Sequence, residues 1–370
     1  MIKNGCLTTA VMRVKLEGPV FIGDGTSVTK KEYYYNAAAG TVSFYQMARL
    51  QQILVRMRMT DAYVQYLLNP NQRSLGDFFK VNGIKPEQLD EALLYTVPAG
   101  DAIGTDGQPA EIARFFRTPD GQVCFPGSSA KGALRTALLT GIVLQERTTT
   151  KKPTAPEGTN SRENMRAIKN DAKYCTLESD CLHTLNINKN KSNPVNSLMR
   201  GIMVSDCYLG RPQMVLCRKH DLDPHGGLHS INTIRECLPP GMTVNFPITI
   251  DDSLSGGVTF ETLKKAVGIF DRFYCKSILS QYAMPENCPA IELNSHLFFG
   301  GGSGYQSKTV ALPWLGEKDG LHYVSALMCA QFPQGHHDDD ERQGRSPHTL
   351  KFTSIHQRHL PFGLCEVEFV

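Results

Sequence analysis

The stretch from Gln122 to Leu139 constrains the fold more than any other part of this chain. A short apolar run ends at Phe125, Pro126-Gly127 follows, and Ala130, Leu134 and Leu138 then recur at helical spacing. The pattern predicts a strand that turns on Pro-Gly directly into a helix, with Ser128 or Ser129 as its cap. Elsewhere the two periods alternate. Within residues 7–22, Met12, Val14 and Leu16 alternate with Arg13, Lys15 and Glu17, as in a strand with one wet face. After turns at Gly23-Asp24-Gly25 and near Gly40, short strands are expected at Glu32 to Tyr35 and Val42 to Tyr45. Residues 46–96 read as helical, through Met47, Leu50, Leu54 and Met57 and then Tyr63, Tyr66 and Leu67; Arg56 and Arg58 read as a solvated face.

Residues 146–173 are polar, basic and without apolar period, which predicts a linker or mobile loop. Strands are expected again at Ile202 to Val204, Gln213 to Cys217 and Thr243 to Ile250. A helix follows at 262–282, with Leu263, Val267, Phe270 and Tyr274 on one face, and a last strand at Leu364 to Val370. Strands, helix, strands, twice over, predicts an α+β protein of ferredoxin-like units. The first unit is 1–145 with a helical insertion at about 46–96, 146–195 is a flexible linker, and the second unit is 196–370.

The net charge of +3 is too small to imply a polyanion partner, so any such site must be a local patch. The 11 cysteines are odd in number and scattered, as in a reduced protein without a disulfide framework. No apolar stretch is long enough for a membrane span, so the expected location is cytoplasmic and no membrane partner is expected.

One patch is unusual. Lys131 and Arg135 share a helix face four residues apart, where like charges repel by about 0.2–0.5 kcal/mol. Lys131 also lies in the first turn, where the helix dipole disfavours a cation. A bound phosphate would relieve both effects, and Ser128 and Ser129 could add hydroxyl and N–H donors. Two solvated cations explain the pattern equally well. A second segment, Gly300-Gly301-Gly302-Ser303-Gly304-Tyr305-Gln306-Ser307-Lys308-Thr309, can form an anion nest or bring two backbones close. It lacks the order of a nucleotide P-loop and of a dinucleotide fingerprint. A third, Ile22 to Tyr33, joins the Gly23-Asp24-Gly25 turn to Lys30-Lys31-Glu32-Tyr33, which alone is an ordinary hairpin.

Together the three segments resemble the RAMP superfamily of CRISPR proteins, whose members are RNA-binding and ferredoxin-like (RRM-like). The resemblance is closest to the family of fifth Csm subunits of type III-A effector complexes. It is carried by Ile22 to Tyr33, by Pro126 to Thr136 and by Gly300 to Thr309. Weaker similarity lies at Met199 to Asp206, Arg235 to Gly241 and Pro347 to Gly363.

The resemblance implies a non-catalytic subunit that caps the 3′ end of the crRNA, reads backbone and shape, and supports crRNA maturation and antiviral defence. Implied partners are the crRNA 3′ portion, target RNA, the backbone and other Csm subunits, and host nucleases that trim crRNA. It implies phosphate contacts from Lys131 and Arg135, aided by Ser128 and Ser129, and close RNA passage at Gly301, Gly302 and Gly304 beside Lys308. Gly23, Gly25, Lys30, Lys31 and Arg200 join the implied RNA-binding set. Tyr305 would stack on a base, or serve as a core tyrosine.

The alternative is a RAMP-type endoribonuclease acting on crRNA precursor or target RNA. The absence of histidine before His183 opposes His-driven acid–base chemistry in the N-terminal module. No cofactor or metal is expected. Cys175, Cys181 and His183, with His220, His225 and His229 downstream, do not have zinc-finger spacing. His336-His337 with Asp338 to Asp340 reads as a solvated acidic loop.

Overall fold

The computed structural model describes residues 1–69, 74–103, 111–145, 172–291, 294–335 and 337–370. The expected linker at 146–173 lies almost wholly outside them.

The strand Leu7–Leu16 forms where the alternation predicts it. Ala10, Met12, Val14 and Leu16 are buried, while Arg13 and Lys15 stay in water. It ends at Leu16 rather than continuing to residue 22. Six strands form its main sheet, five in the order His296–Phe298, Leu364–Phe369, Leu7–Leu16, Thr243–Asp251, Ile202–Val204 and the sixth, Ile2–Asn4, paired with Leu7–Leu16, all antiparallel. Two helices, Gly127–Gln145 and Phe260–Ser277, pack on each other and against strands of this sheet. The second carries Leu263, Val267, Phe270 and Tyr274 on its buried face, and Thr259 caps it by accepting from the Thr262 N–H. Each such large side chain contributes about 1.5–3 kcal/mol when buried.

This pairing corrects the expected division into two units. Leu7–Leu16 lies between Leu364–Phe369 and Thr243–Asp251, so residues from 1–145 and 196–370 share one sheet and one core. In chain order the frame reads strand, helix, strand, strand, helix, strand, with the C-terminal strand inserted between the first and the last.

A second sheet runs Arg358–Pro361, Leu350–Ile355, Val215–Leu222, Leu228–Cys237, Ile112–Phe115, Gly23–Val28. Only Leu228–Cys237 with Ile112–Phe115 is parallel. Bridges from Val20 to Leu238 and from Phe21 to Gly301 tie the two sheets together just after Leu7–Leu16. The Gly23-Asp24-Gly25 turn of the sequence reading is therefore the start of a strand, because Gly23, Ser27 and Val28 find ladder partners in Phe115, Ala113 and Ile112.

The insertion forms the helices Met47–Arg56, Thr60–Leu68 and Leu75–Val81, then a 3₁₀ turn and the strand Leu93–Pro98. That strand completes a small sheet with Tyr33–Asn36 and Thr41–Tyr45. Leu50, Leu54, Tyr63, Phe78 and Phe79 pack into a separate small core. The insertion is thus helical as expected, except for this last strand.

Candidate functional site

The three motif segments converge. Ile22 and Gly23, the helix residues Ser129, Gly132, Ala133, Arg135 and Thr136, and Gly300, Gly301, Ser307 and Lys308 line one open groove of about 480 Å³. Phe270, Leu297 and Phe298 complete its lining. The Gly301 N–H donates to the Phe21 carbonyl at 2.6 Å, which fixes the glycine loop against the strand entering the second sheet.

The helix side of the groove starts at Gly127, not at a capping serine. Gly127 packs on the backbone after Ile202–Val204 so closely that a Cβ there would lie 2.2 Å from the Val204 carbonyl oxygen. This docking brings Asp206 to the helix start, where its Oδ1 accepts the Gly127 N–H at 2.7 Å. A carboxylate therefore already meets the positive helix end, and Ser128 is left exposed and Ser129 half-buried. Lys131 is half-buried, and desolvation lowers its pKa. Arg135 is about half exposed and meets Glu178 at 3.1 Å, a solvated pair of small energetic value.

The loop side continues into a cationic face of the second sheet. Lys308 lines the groove, and its ammonium donates to the Gly300 carbonyl. Burial, and secondarily Arg235, lowers its pKa. Gly302 adopts φ +92, and a Cβ there would lie 2.5 Å from Arg235 Nη1, so only glycine lets the loop pass over this guanidinium. Arg235 Nε and Nη1 are buried and have no hydrogen-bond partner among the described residues, and the guanidinium lies 5.2 Å from the centroid of the Phe21 ring. Burial lowers its pKa. Lys219 is shifted further, to about 8, by burial and then by Lys351 and Arg235, with Asp221 opposing. Lys351 itself is paired with Asp221. Arg235, Lys308 and Lys219 thus form a partly desolvated, under-compensated cationic patch, which an oxyanion would satisfy.

Sequence reasoning missed Arg235 and Lys219 as site residues. The only signal lay in the Arg235 to Gly241 segment, where the pattern did not say which side chain would face the glycine loop.

Several expected site residues have other work. The Lys31 ammonium donates to the carbonyls of Tyr66, Leu67 and Asn69 at 3.4, 2.8 and 3.1 Å. It thereby caps the C-terminal end of Thr60–Leu68, where a cation suits the helix dipole. Lys30 is half-buried, and its carbonyl accepts the Leu75 N–H. Arg200 is exposed and donates to the Val195 carbonyl at 3.0 Å within its own turn. Gly25 is exposed on the outer strand of the second sheet, and Gly304 packs against the stem of Lys351. Tyr305 is half-buried against the main core, so its ring is a packing residue rather than a free stacking platform. Of the cysteines and histidines weighed and set aside as zinc ligands, the side chain of Cys175 lies outside the described ones. His220 and His229 are engaged with Ser230 and Asp223.

No protein-family model matches the chain. Curated relatives do. It is 26% identical over 394 residues to the CRISPR system Cms protein Csm5 of Mycobacterium tuberculosis (strain CDC 1551 / Oshkosh), covering 98% of each chain. It is 24% identical to Csm5 of Enterococcus italicus over 80% of this chain and 78% of that one, and 25% identical to Csm5 of Streptococcus thermophilus over 79% and 77%. Its fold matches a chain of the cryo-EM structure of a Csm-crRNA-target RNA ternary complex in a type III-A CRISPR-Cas system, with TM-score 0.64 and 18% identity over 97% and 100% of the two chains. It also matches the crystal structure of T. onnurineus Csm5, with TM-score 0.59 and 18% identity over 96% and 99%. By sequence along its length and by its mixed α/β fold, the chain is a Csm5-like protein.

Proposed function

We propose that this chain is a non-catalytic RNA-binding subunit of a type III-A Csm effector complex, and that it caps the 3′ portion of the crRNA. The observation that carries this reading is the convergence of Ile22-Gly23, the Ser129 to Thr136 helix face and the Gly300 to Lys308 loop on one groove whose lining includes the cations Arg135 and Lys308, with Arg235 against the same glycine loop at Gly302. Such a groove binds a sugar–phosphate backbone without reading bases, which suits a guide whose sequence is read by pairing. The strand–helix–strand–strand–helix–strand frame supports a ferredoxin-like core of RAMP type, with the C-terminal strand added. Partners under this reading are crRNA, target RNA and the other Csm subunits, with host nucleases trimming the exposed crRNA end, all inside the cell.

The test is co-expression with the other Csm subunits and a CRISPR array, with a tag on this chain alone, followed by sequencing of the copurified RNA. A crRNA with a defined 3′ end is expected. The chain recovered alone, or with random RNA, would remove the capping role. Lys131→Ala with Arg135→Ala should lower crRNA recovery in high salt by about tenfold, while the chain stays folded. Wild-type recovery would exclude both side chains as phosphate ligands.

One arrangement favours the ribonuclease alternative. Ser354 Oγ lies 3.4 Å from His220 Nε2 and 2.9 Å from His359 Nδ1, and burial lowers the His220 pKa. However, His220 is three strands from Gly23 across the second sheet, about 14 Å at the usual strand spacing. None of Ser354, His220 and His359 lines the groove. The purified chain is therefore expected to leave RNA intact; cleavage abolished by His220→Ala would reverse the assignment.

A further inference from the structure

The segment expected to be a solvated acidic loop supplies two of the three side chains in the one metal-ligating group found among the described residues: His337 and Asp340, with His348 downstream. Asp340 is not solvated; its side chain is 0% exposed. Its Oδ2 lies 2.9 Å from His337 Nδ1, and its Oδ1 lies 2.5 Å from His348 Nδ1. One ligand atom from each residue lies within 4.8 Å of the other two. The two imidazole rings are 4.8 Å apart between centroids, so both approach the carboxylate from the same neighbourhood.

All three residues come from one connection between the helix Glu317–Gln331 and the strand Leu350–Ile355, and His337 and Asp340 are only three apart. That connection is fixed by bonds within it and by one from outside, from Gln306. The Ser346 hydroxyl donates to Asp340 Oδ2 at 2.6 Å, the Arg345 N–H donates to the Asp340 carbonyl at 3.1 Å, and the Pro347 carbonyl accepts from Gln306 Nε2 at 2.7 Å. Metal centres are built in this way, with an outer hydrogen bond orienting the carboxylate that meets the ion.

We propose that His337, Asp340 and His348 bind a divalent first-row transition-metal ion, Zn²⁺ in the first instance. Two imidazoles and one carboxylate are borderline-to-hard ligands that suit such an ion. Ligands about 2.0–2.1 Å from an ion at the centre of a tetrahedron lie about 3.3 Å apart. The His337–Asp340 and His348–Asp340 spacings of 2.9 and 2.5 Å therefore need to open by about 0.4 and 0.8 Å, within the reach of side-chain rotation. Both imidazoles would carry their proton on Nε2 and give Nδ1 to the ion. His337 and His348 are 11% and 24% exposed, which leaves an entry path and room for water as a further ligand. The ion would cross-link the connection and hold down the Pro347 carbonyl on which Tyr282 and Gln306 converge. This site is independent of the RNA groove, and its test does not involve RNA. Without an ion, the same atoms form a closed hydrogen-bonded cluster that binds nothing, and the experiment separates the two.

The full-length chain, stripped with a chelator and dialysed, is titrated with Zn²⁺ by calorimetry and with Co²⁺ by visible absorption. One ion per chain is expected, with the d–d bands of a nitrogen- and oxygen-ligated Co²⁺ and a Zn²⁺-dependent rise in melting temperature. His348→Ala and His337→Ala should each weaken binding by more than about 100-fold, the upper end of the loss from removing an outer-shell partner. His322→Ala, which removes an exposed imidazole paired with Glu341, should bind as wild type. Failure of the wild-type chain to take up stoichiometric ion overturns the proposal, whatever the variants do. So does stoichiometric uptake that survives both histidine substitutions.

Discussion

Glu236→Ala is expected to destabilise the chain by about 3–5 kcal/mol, read as a lower midpoint in chemical denaturation. The Glu236 side chain is 0% exposed and meets the Arg117 guanidinium, itself 12% exposed. Its Oε2 also accepts the Phe115 N–H at 3.0 Å and the Tyr95 hydroxyl at 3.3 Å. Arg117 lies 4.1 Å from the centroid of the Tyr95 ring. One carboxylate therefore joins Leu228–Cys237 to its parallel neighbour Ile112–Phe115 and to Leu93–Pro98 of the small sheet. Alanine would leave a buried guanidinium without a counter-charge and two donors without an acceptor. The size of the loss comes mainly from those orphaned groups, since an intact buried ion pair is close to neutral against a well-packed apolar pair. Glu236→Leu with Arg117→Met should accordingly recover the share of the loss that comes from the uncompensated guanidinium, while the Phe115 N–H and the Tyr95 hydroxyl stay without that acceptor. A single variant within about 0.5 kcal/mol of wild type would show that water reaches this pair and that the three strands are held by other contacts.

The opposite pattern is expected for Arg235→Ala combined with Lys308→Ala. Both cations are partly desolvated, and two Arg235 nitrogens lack partners, so removing them should leave stability unchanged or raise it. Binding should suffer. A charge-assisted hydrogen bond contributes about 1.5–3 kcal/mol, so losing two should weaken crRNA retention by about 100-fold or more. The slope of log affinity against log salt should fall by about 1.4, at roughly 0.7 per single-stranded phosphate contact. Unchanged affinity and slope would take these residues out of the interface, and a loss of stability comparable with Glu236→Ala would make them structural.

Lys219 adds a pH signature. Its pKa in the folded chain is about 8, below the unfolded value of about 10.4. Below pH 8 the folded chain carries the full desolvation penalty of the charged amine, and the penalty is relieved as pH rises from 8 towards 10.4. A bound phosphate favours the charged form, so RNA affinity should fall across the range where the free chain gains stability. Affinity that is flat through pH 8–10 would place Lys219 outside the phosphate's reach.

The sequence by itself determined what short-range periodicity can specify. Met12, Val14 and Leu16 gave a strand with one wet face; Leu263, Val267, Phe270 and Tyr274 gave a helix with one buried stripe. The Pro126 to Thr136 segment gave the strand-to-helix junction, because turn chemistry and helix spacing are properties of neighbouring residues. The resemblance of three separate segments to one family located the groove lining, although no local pattern implied that these segments would meet.

Tertiary structure alone decided the rest. Strand pairing depends on backbone groups that every residue carries, so nothing near Leu364–Phe369 announced that it would insert beside Leu7–Leu16 and merge the two expected units into one sheet. A lysine reads the same whether it meets a phosphate or three carbonyls at a helix end, and only the approach of Thr60–Leu68 made Lys31 a cap. Arg235 and Glu236 are neighbours with opposite fates for the same reason. Successive strand residues point to opposite faces, and the elements covering each face left one charge compensated and two nitrogens of the other without a hydrogen-bond partner among the described residues.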